Sequence, residues 1–267
     1  MSASVSALDL YRELGLAGSA TIVDVRRPAA YDQSPRILPG ARRGIPDEVA
    51  IWAARLPKSR PVVVYCAHGH EVSQGAAVTL ATLGFDTRYL EGGIAHWLEA
   101  GLPSVARRAE WNAPGQSRWI TRARPKIDRL ACPWLVRRFI DPHAGFFYVP
   151  AAEVRAQAAT LGAQPYDIPD TVFSHRGPLC SFDAFLAEFD LHDAALDALA
   201  QIVRAADTGD LQNAPQAPGL LAISLGLGAS IADDDALLEA AMPLYDALYA
   251  WCKTAQNETH NWPYGTK

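Results

Sequence analysis

The chain has 267 residues, room for one large domain or two smaller ones, and it is 49% hydrophobic and 20% charged, a composition that excludes an extended disordered polymer. Its net charge of -5 argues against non-specific nucleic-acid binding. The N-terminus carries no basic segment followed by an apolar run, and no uncharged apolar stretch is long enough to span a bilayer, so neither a secretory leader nor membrane insertion is expected and the cytoplasm is the default location.

In chain order, SALDLYREL has helical spacing and TIVDVR is a short β-branched strand. PDEVAIWAARL predicts a helix with acidic residues in its first turn, which suits the helix dipole. PVVVYC is a continuous apolar run, the pattern of a strand buried on both faces of a parallel sheet. EVSQGAAVTLATLG predicts a helix closed by a glycine. TRYLEGG follows as a strand, and IAHWLEAGLP as a helix stopped by Gly101 and Pro103. Strands alternating with helices predict an α/β unit: a parallel sheet with helices on both faces.

Residues 104–117 break the rhythm, carry Pro and Gly, and are expected to be a linker. Beyond them the pattern is mainly helical, an α+β arrangement. IDRLACPWLVRRFI predicts a helix that Pro133 should kink or restart, and GFFYVP a strand. AAEVRAQAATLG, SFDAFLAEF, HDAALDALAQIVRAAD and DDDALLEAAMPLYDALYAWCKTAQ predict helices, the last with a kink at Pro243. The expected division is a first domain over 5–105, a linker over 106–117 and a second domain over 118–267.

The four cysteines (Cys66, Cys132, Cys180, Cys252) form no CxxC and are expected to be reduced. Cys66 ends the apolar strand, and Ala67, His68, Gly69, His70, Glu71, Val72 and Ser73 lead into a helix. Such a strand–loop–helix turn aims backbone N–H groups and a helix N-terminus at one place, which favours thiolate and cradles an anion. Taken alone, a cysteine at a strand end reads as a buried core thiol. His68, His70 and Glu71 could serve a bound oxyanion, Cys66, His68 and His70 could ligate a soft metal, or the histidines could be solvated loop residues.

The segment resembles the rhodanese family along its whole length. IVDVR, the Pro39-Gly40-Ala41 step, VVVYC, AAVTLATLGF and YLEGGIAHWLEAGLP fall in the family's order. The resemblance implies that Cys66 carries a persulfide and that Asp24 and Arg26 brace the sheet edge near it. The loop departs from the family: Glu71 stands where many single-domain members have arginine, and the loop is one residue longer. That length is similar to the phosphatase and arsenate-reductase branch of the fold, which accommodates a tetrahedral oxyanion but also relies on a loop arginine.

Arg118, Arg122, Arg124, Lys126, Arg129, Arg137 and Arg138 crowd one stretch around Cys132. They could lower that thiol's pKa and bind an oxyanion, or form a solvated basic face. From WITRARPKIDRLACPWLVRRFIDP through HRGPLCSFDAFLAEF, IVRAADTGD, APGLLAISLGL and ALYAWC to ETHNW, residues 118–262 resemble the C-terminal domain of the chromate-resistance protein B family. The residues matching its motifs are Asp128, Arg129, Cys132, Trp134, Arg137, His175, Cys180 and Asp207. Arg129, Cys132, Arg137, His175 and Cys180 are the candidates for function. His175 and Cys180 could be half of a metal or redox site, although Arg204 stands where some relatives have histidine, and His260 is a further candidate.

The resemblances together imply a thiosulfate sulfurtransferase-like enzyme acting in bacterial chromate resistance, with oxyanion reduction as a variant. Its expected partners are a small sulfur donor or oxyanion such as thiosulfate or chromate, a thiol acceptor and, functionally, a chromate transporter. The alternative is an oxyanion-binding or redox-sensing regulator without turnover. No metal ligand is assigned and no cofactor is required beyond the Cys66 persulfide intermediate, while the second domain leaves room for a metal.

Overall fold

The structure, a computed structural model, describes residues 3–16, 18–107 and 117–258. The first part runs β1 (Ala3–Val5), α1 (Ala7–Glu13), β2 (Thr21–Asp24), α2 (Pro28–Asp32), β3 (Arg36–Ile37), β4 (Arg42–Arg43), α3 (Val49–Ala53), β5 (Val62–Tyr65), α4 (Glu71–Thr82), β6 (Thr87–Leu90), α5 (Gly93–Glu99) and β7 (Val105–Ala106). Five strands form a parallel sheet in the order β1-β6-β5-β2-β4. Parallel neighbours need crossover connections, which the helices supply.

The alternation of side chains along β5 decides what lies on each face. Val62, Val64 and Cys66 pack with Val49, Ala53, Ala76, Ala77 and Leu80, the buried sides of α3 and α4. Val63 and Tyr65 point the other way, toward Leu10 of α1 and Ile94 and Trp97 of α5. Both faces are therefore covered, as the apolar run of β5 predicts. The helix expected over PDEVAIWAARL is shorter than predicted, a 3-10 turn at Pro46–Glu48 followed by α3.

The second part runs β8 (Arg118–Arg122), α6 (Asp128–Leu135), β9 (Gly145–Val149), α7 (Val154–Leu161), β10 (Gln164–Pro165), α8 (Ser181–Glu188), α9 (Ala194–Thr208), α10 (Ala217–Ser230) and α11 (Asp234–Ala250). Its three strands make a small parallel sheet, β10-β8-β9, and helices make up most of the rest. Side-chain caps begin several helices: Ser6 accepts from the Asp9 amide, Asp193 from Leu196 and Asp233 from Ala236. The helix α10 covers LLAISLGLG, which is apolar all round and shows no amphipathic period that would mark a helix in the sequence.

Pro133 sits inside α6 and neither restarts nor ends it. Its ring removes the N–H that would bond the Arg129 carbonyl. The hydroxyls of Tyr148 and Tyr166 donate to that carbonyl instead, each at 3.3 Å. The irregularity comes later, as a π segment at Val136–Ile140. Pro243 likewise lies within α11, which runs on to a π segment at Trp251–Ala255.

The stretch read as a linker begins as structure. Val105–Ala106 pairs antiparallel with Arg36–Ile37, and the Ala106 amide donates to the Phe189 carbonyl at 2.9 Å. One apolar core crosses this seam, since Leu38, Trp97 and Val105 share a buried cluster with Phe139 and Phe189. Polar contacts join the same parts: Tyr11 Oη donates to Asp193 at 2.6 Å, Gly40 N to Phe139 O at 2.6 Å, and Arg36 pairs with Asp190.

Candidate functional site

Cys66 follows β5 at the C-terminal edge of the sheet and is 6% exposed. The loop after it is oriented by its carbonyls. Cys66 O and Ala67 O accept the Ile94 and Ala95 amides of α5 at 3.1 and 3.0 Å. Gly69 O accepts Gln74 Nε2 at 3.0 Å, and His70 O accepts the Gln74 amide at 3.1 Å. With these carbonyls engaged, the amides are left over. Among the described residues, no backbone N–H from Ala67 to Ser73 donates to a protein acceptor. These amides and the start of the 12-residue helix α4 are the kind of donors that an anion cradle requires.

Two glycines make the turn fit. Gly69 has φ +73°, and a Cβ there would lie 2.6 Å from Leu90 O and 2.7 Å from Gly92 N. A Cβ on Gly93, at φ +57°, would lie 2.4 Å from Cys66 O. Ser73, buried on α4, places Oγ 3.2 Å from Cys66 Sγ. The sequence reading placed Ser73 in the loop; it is the residue of that set that meets the sulfur. His68 and His70 are exposed, with ring centroids 6.1 Å apart. Among the described residues these two rings and Cys66 do not converge as a metal-ligand group.

Asp24 and Arg26 form an ion pair in which both side chains are 1% exposed. Tyr65, immediately before Cys66, donates its hydroxyl to Asp24 at 2.8 Å, and Arg26 Nη2 donates to Arg36 O at 3.1 Å. The pair locks the ends of β2 and β5 together beneath the loop.

In the second part, the sequence candidates separate. His175 Nε2 lies 3.4 Å from Asp128, 3.5 Å from Asp167 and 3.2 Å from Asp207. Asp128 opens α6 and its Oδ2 accepts the Ser181 amide at 2.6 Å. Asp167 sits in a turn at φ +52°, accepts from Ser181 Oγ at 2.8 Å and pairs with Arg122 and Arg129. Burial pushes the Asp128 carboxyl up, and burial together with the charges of Asp128 and Asp167 raises Asp207 to about 7. Close approach to Asp128, then the other carboxylates, raises His175 to about 9. Asp167 was not singled out by sequence, because it reaches the group only through tertiary folding.

Cys132 and Cys180 are buried thiols, each pushed well up by burial and then by the Asp128 charge. Cys180 is the N-cap of α8 and pairs with Asp183 in a capping box, so the expected His175–Cys180 half-site resolves into His175 among carboxylates and a capping cysteine. Arg204 pairs with Asp183 at 2.8 Å. Arg137 leaves Arg129 altogether and bonds Glu239 at 2.6 Å. It lines, with Arg42, Arg60, Arg138 and His143, a cavity of about 650 Å³ between the two parts. His260 lies outside the described residues.

Two families match successive stretches of the chain. The family "Rhodanese-like domain" matches residues 6–100, and the family "ChrB, C-terminal domain" matches residues 119–252. A protein ChrB of Cupriavidus metallidurans is 35% identical over 161 residues, 60% of this chain. The chain spans about half of that relative, 47% of its length. A sulfurtransferase of Allochromatium vinosum is 34% identical over 85 residues, 32% of this chain and 78% of that protein. Among solved structures, a rhodanese-related protein of Thermoplasma volcanium is 30% identical, covers 39% of this chain and 99% of its own, and has a TM-score of 0.35. Among the described residues no helix is long and apolar enough to cross a membrane.

Proposed function

The chain belongs to the family of the ChrB C-terminal domain and, through its first part, to the rhodanese-like family, and from that premise we propose that it is a sulfurtransferase working through a Cys66 persulfide in chromate resistance. The carrying observation is that Cys66 leads into a loop whose amides from Ala67 to Ser73 have no protein acceptor among the described residues, with Ser73 Oγ 3.2 Å from its sulfur. The Cys66 thiolate attacks the outer sulfur of thiosulfate. A Cys66 S–S bond forms, the S–S bond of thiosulfate breaks, and sulfite leaves with the electron pair. The new terminal sulfur is anionic, and fixed amides stabilise it without reorganising. A thiophilic acceptor then takes that sulfur and returns the thiolate. His68 and His70, exposed at the rim, supply donors to the incoming anion where Glu71 replaces an arginine. The test is thiocyanate formation from thiosulfate and cyanide: turnover by wild type and none by Cys66→Ser supports the reading. Absence of turnover with thiosulfate, mercaptopyruvate and chromate in wild type sinks it.

The cavity between the parts favours a second reading, oxyanion binding without turnover. Arg42 and Arg60 have no ion-pair partner among the described residues, and Arg42 Nε is buried without an acceptor. Unpaired guanidinium groups in a partly desolvated cavity attract a dianion such as chromate. Calorimetric titration with chromate separates the two: binding weakened at least tenfold by Arg42→Ala, with thiocyanate formation absent in wild type, favours this reading.

A further inference from the structure

We propose that Asp128, His175 and Asp207 bind one divalent first-row transition ion. This site stands apart from Cys66 and from the sulfur chemistry. Among the described residues it is the one group of three such side chains whose ligand atoms lie within 4.8 Å of one another.

The distances suit a shared ion better than a single proton. An imidazolium has a single Nε2–H, and a charge-assisted bond to a carboxylate closes to about 2.7–2.9 Å. His175 Nε2 is instead 3.2 Å from Asp207, 3.4 Å from Asp128 and 3.5 Å from Asp167, longer than such a bond at every carboxylate. Ligands about 2.0–2.2 Å from one shared ion, at tetrahedral to octahedral angles, stand about 3.0–3.5 Å apart. All three His175 spacings fall in that range, and Asp128 and Asp207 are the carboxylates whose ligand atoms also lie within 4.8 Å of each other and of His175.

Burial is the second, independent observation. Asp128 is 1% exposed; its Oδ2, the oxygen 3.4 Å from His175 Nε2, also accepts the Ser181 amide, and its Oδ1 is buried with no hydrogen-bond partner among the described residues. A carboxylate buried this deeply is costly unless a cation offsets its charge. Asp207 is 20% exposed and His175 40% exposed, so the group is open on one side and an ion can enter. Asp167 is a positioning residue: Ser181 Oγ, Arg122 and Arg129 hold it against the imidazole.

The donor set names the class of ion. Two carboxylates and one imidazole suit Mn²⁺, Fe²⁺ or Zn²⁺, whereas Ca²⁺ and Mg²⁺ prefer oxygen alone and Cu⁺ prefers thiolate. The neighbouring thiols of Cys132 and Cys180 are buried and stand outside the three-ligand group.

The full chain, stripped with EDTA, is titrated with MnCl₂ and separately with ZnCl₂, and bound metal is counted after desalting. We expect one ion per chain in wild type, bound at least tenfold more weakly by His175→Gln and by Asp207→Asn, and unchanged in the His68→Ala/His70→Ala double variant. The ion should raise the thermal midpoint of wild type and not that of His175→Gln. Circular dichroism identifies a variant that fails to fold, and the other variant then carries the comparison. Lack of saturable binding of either ion to wild type overturns the proposal. So does binding that is equally tight in the folded His175 or Asp207 variant, or that is lost in the loop variant instead.

Discussion

Ser73 Oγ lies 3.2 Å from Cys66 Sγ and, on its other side, 3.2 Å from the His70 carbonyl. The hydroxyl has one proton for two acceptors. When the sulfur is anionic the proton turns to it, because a hydrogen bond to a charged group is the stronger one. Ser73→Ala removes that donor and nothing else in the cradle. It is expected to slow thiocyanate formation about tenfold, the equivalent of about 1.4 kcal/mol, with unfolding unchanged within about 1 kcal/mol. A rate equal to wild type in steady-state assay contradicts this role.

The other three thiols should be silent. Burial raises Cys132 and Cys180 well above the usual thiol range and Cys252 to about 11, so each is protonated at neutral pH. Iodoacetamide added to the native protein at pH 7 is expected to label Cys66 alone, and to label the others only after unfolding. Peptide mapping reads this directly, and rapid native labelling of Cys132 or Cys180 would refute it.

Asp24→Ala should be costly away from any chemistry. It strands Arg26, whose Nη1 is already buried without a partner, and it removes the acceptor of the Tyr65 hydroxyl. Breaking one side of a buried pair costs about 3–5 kcal/mol. Urea denaturation should show that loss. The double variant Asp24→Ala/Arg26→Leu should recover part of it by removing the orphaned charge; no recovery would mean the pair acts mainly through Tyr65.

Lys253 gives a pH signature. Its ammonium donates to the Tyr11 carbonyl and to Leu14 O at 3.1 Å, and it lies 4.1 Å from the Tyr11 ring centroid. Burial outweighs the attraction of Asp193 and lowers its pKa to about 8. The unfolded value is about 10.4. The folded state therefore holds this proton less tightly. Below about pH 8 the charge counts against the fold, and the penalty lifts as pH rises toward about 10. The stability difference between wild type and Lys253→Met should move in favour of wild type across that window in urea denaturation. A flat difference contradicts it.

Much of this was legible in the sequence where physics is local. The unbroken VVVYC run marks a strand buried on both faces, and HDAALDALAQIVRAAD and DDDALLEAAMPLYDALYAWCKTAQ carry the helical period that α9 and α11 realise. Cys66 stood out through the resemblance of the whole segment to the rhodanese family, since a strand-end cysteine alone reads as a buried core thiol. What stayed hidden is what folding assembles from afar. Asp128, Asp167, His175 and Asp207 come from four separate segments, and no spacing rule joins them. Arg137 shares a stretch with Arg129 yet ends at Glu239, because local crowding of charge does not set a side chain's direction. A kink or a new helix was expected at Pro133; the helix does not restart there, and Tyr148 and Tyr166 donate to the Arg129 carbonyl that the proline leaves without its N–H partner.

The account turns on whether Cys66 carries sulfur. Mass spectrometry of the wild-type chain after incubation with thiosulfate and desalting reads this without a coupled assay. The expected result is a Cys66 peptide heavier by one sulfur atom, the increment lost on treatment with a thiol reductant and absent from Cys66→Ser. An unmodified Cys66 peptide after that incubation, or an added sulfur that persists in Cys66→Ser, would contradict the account.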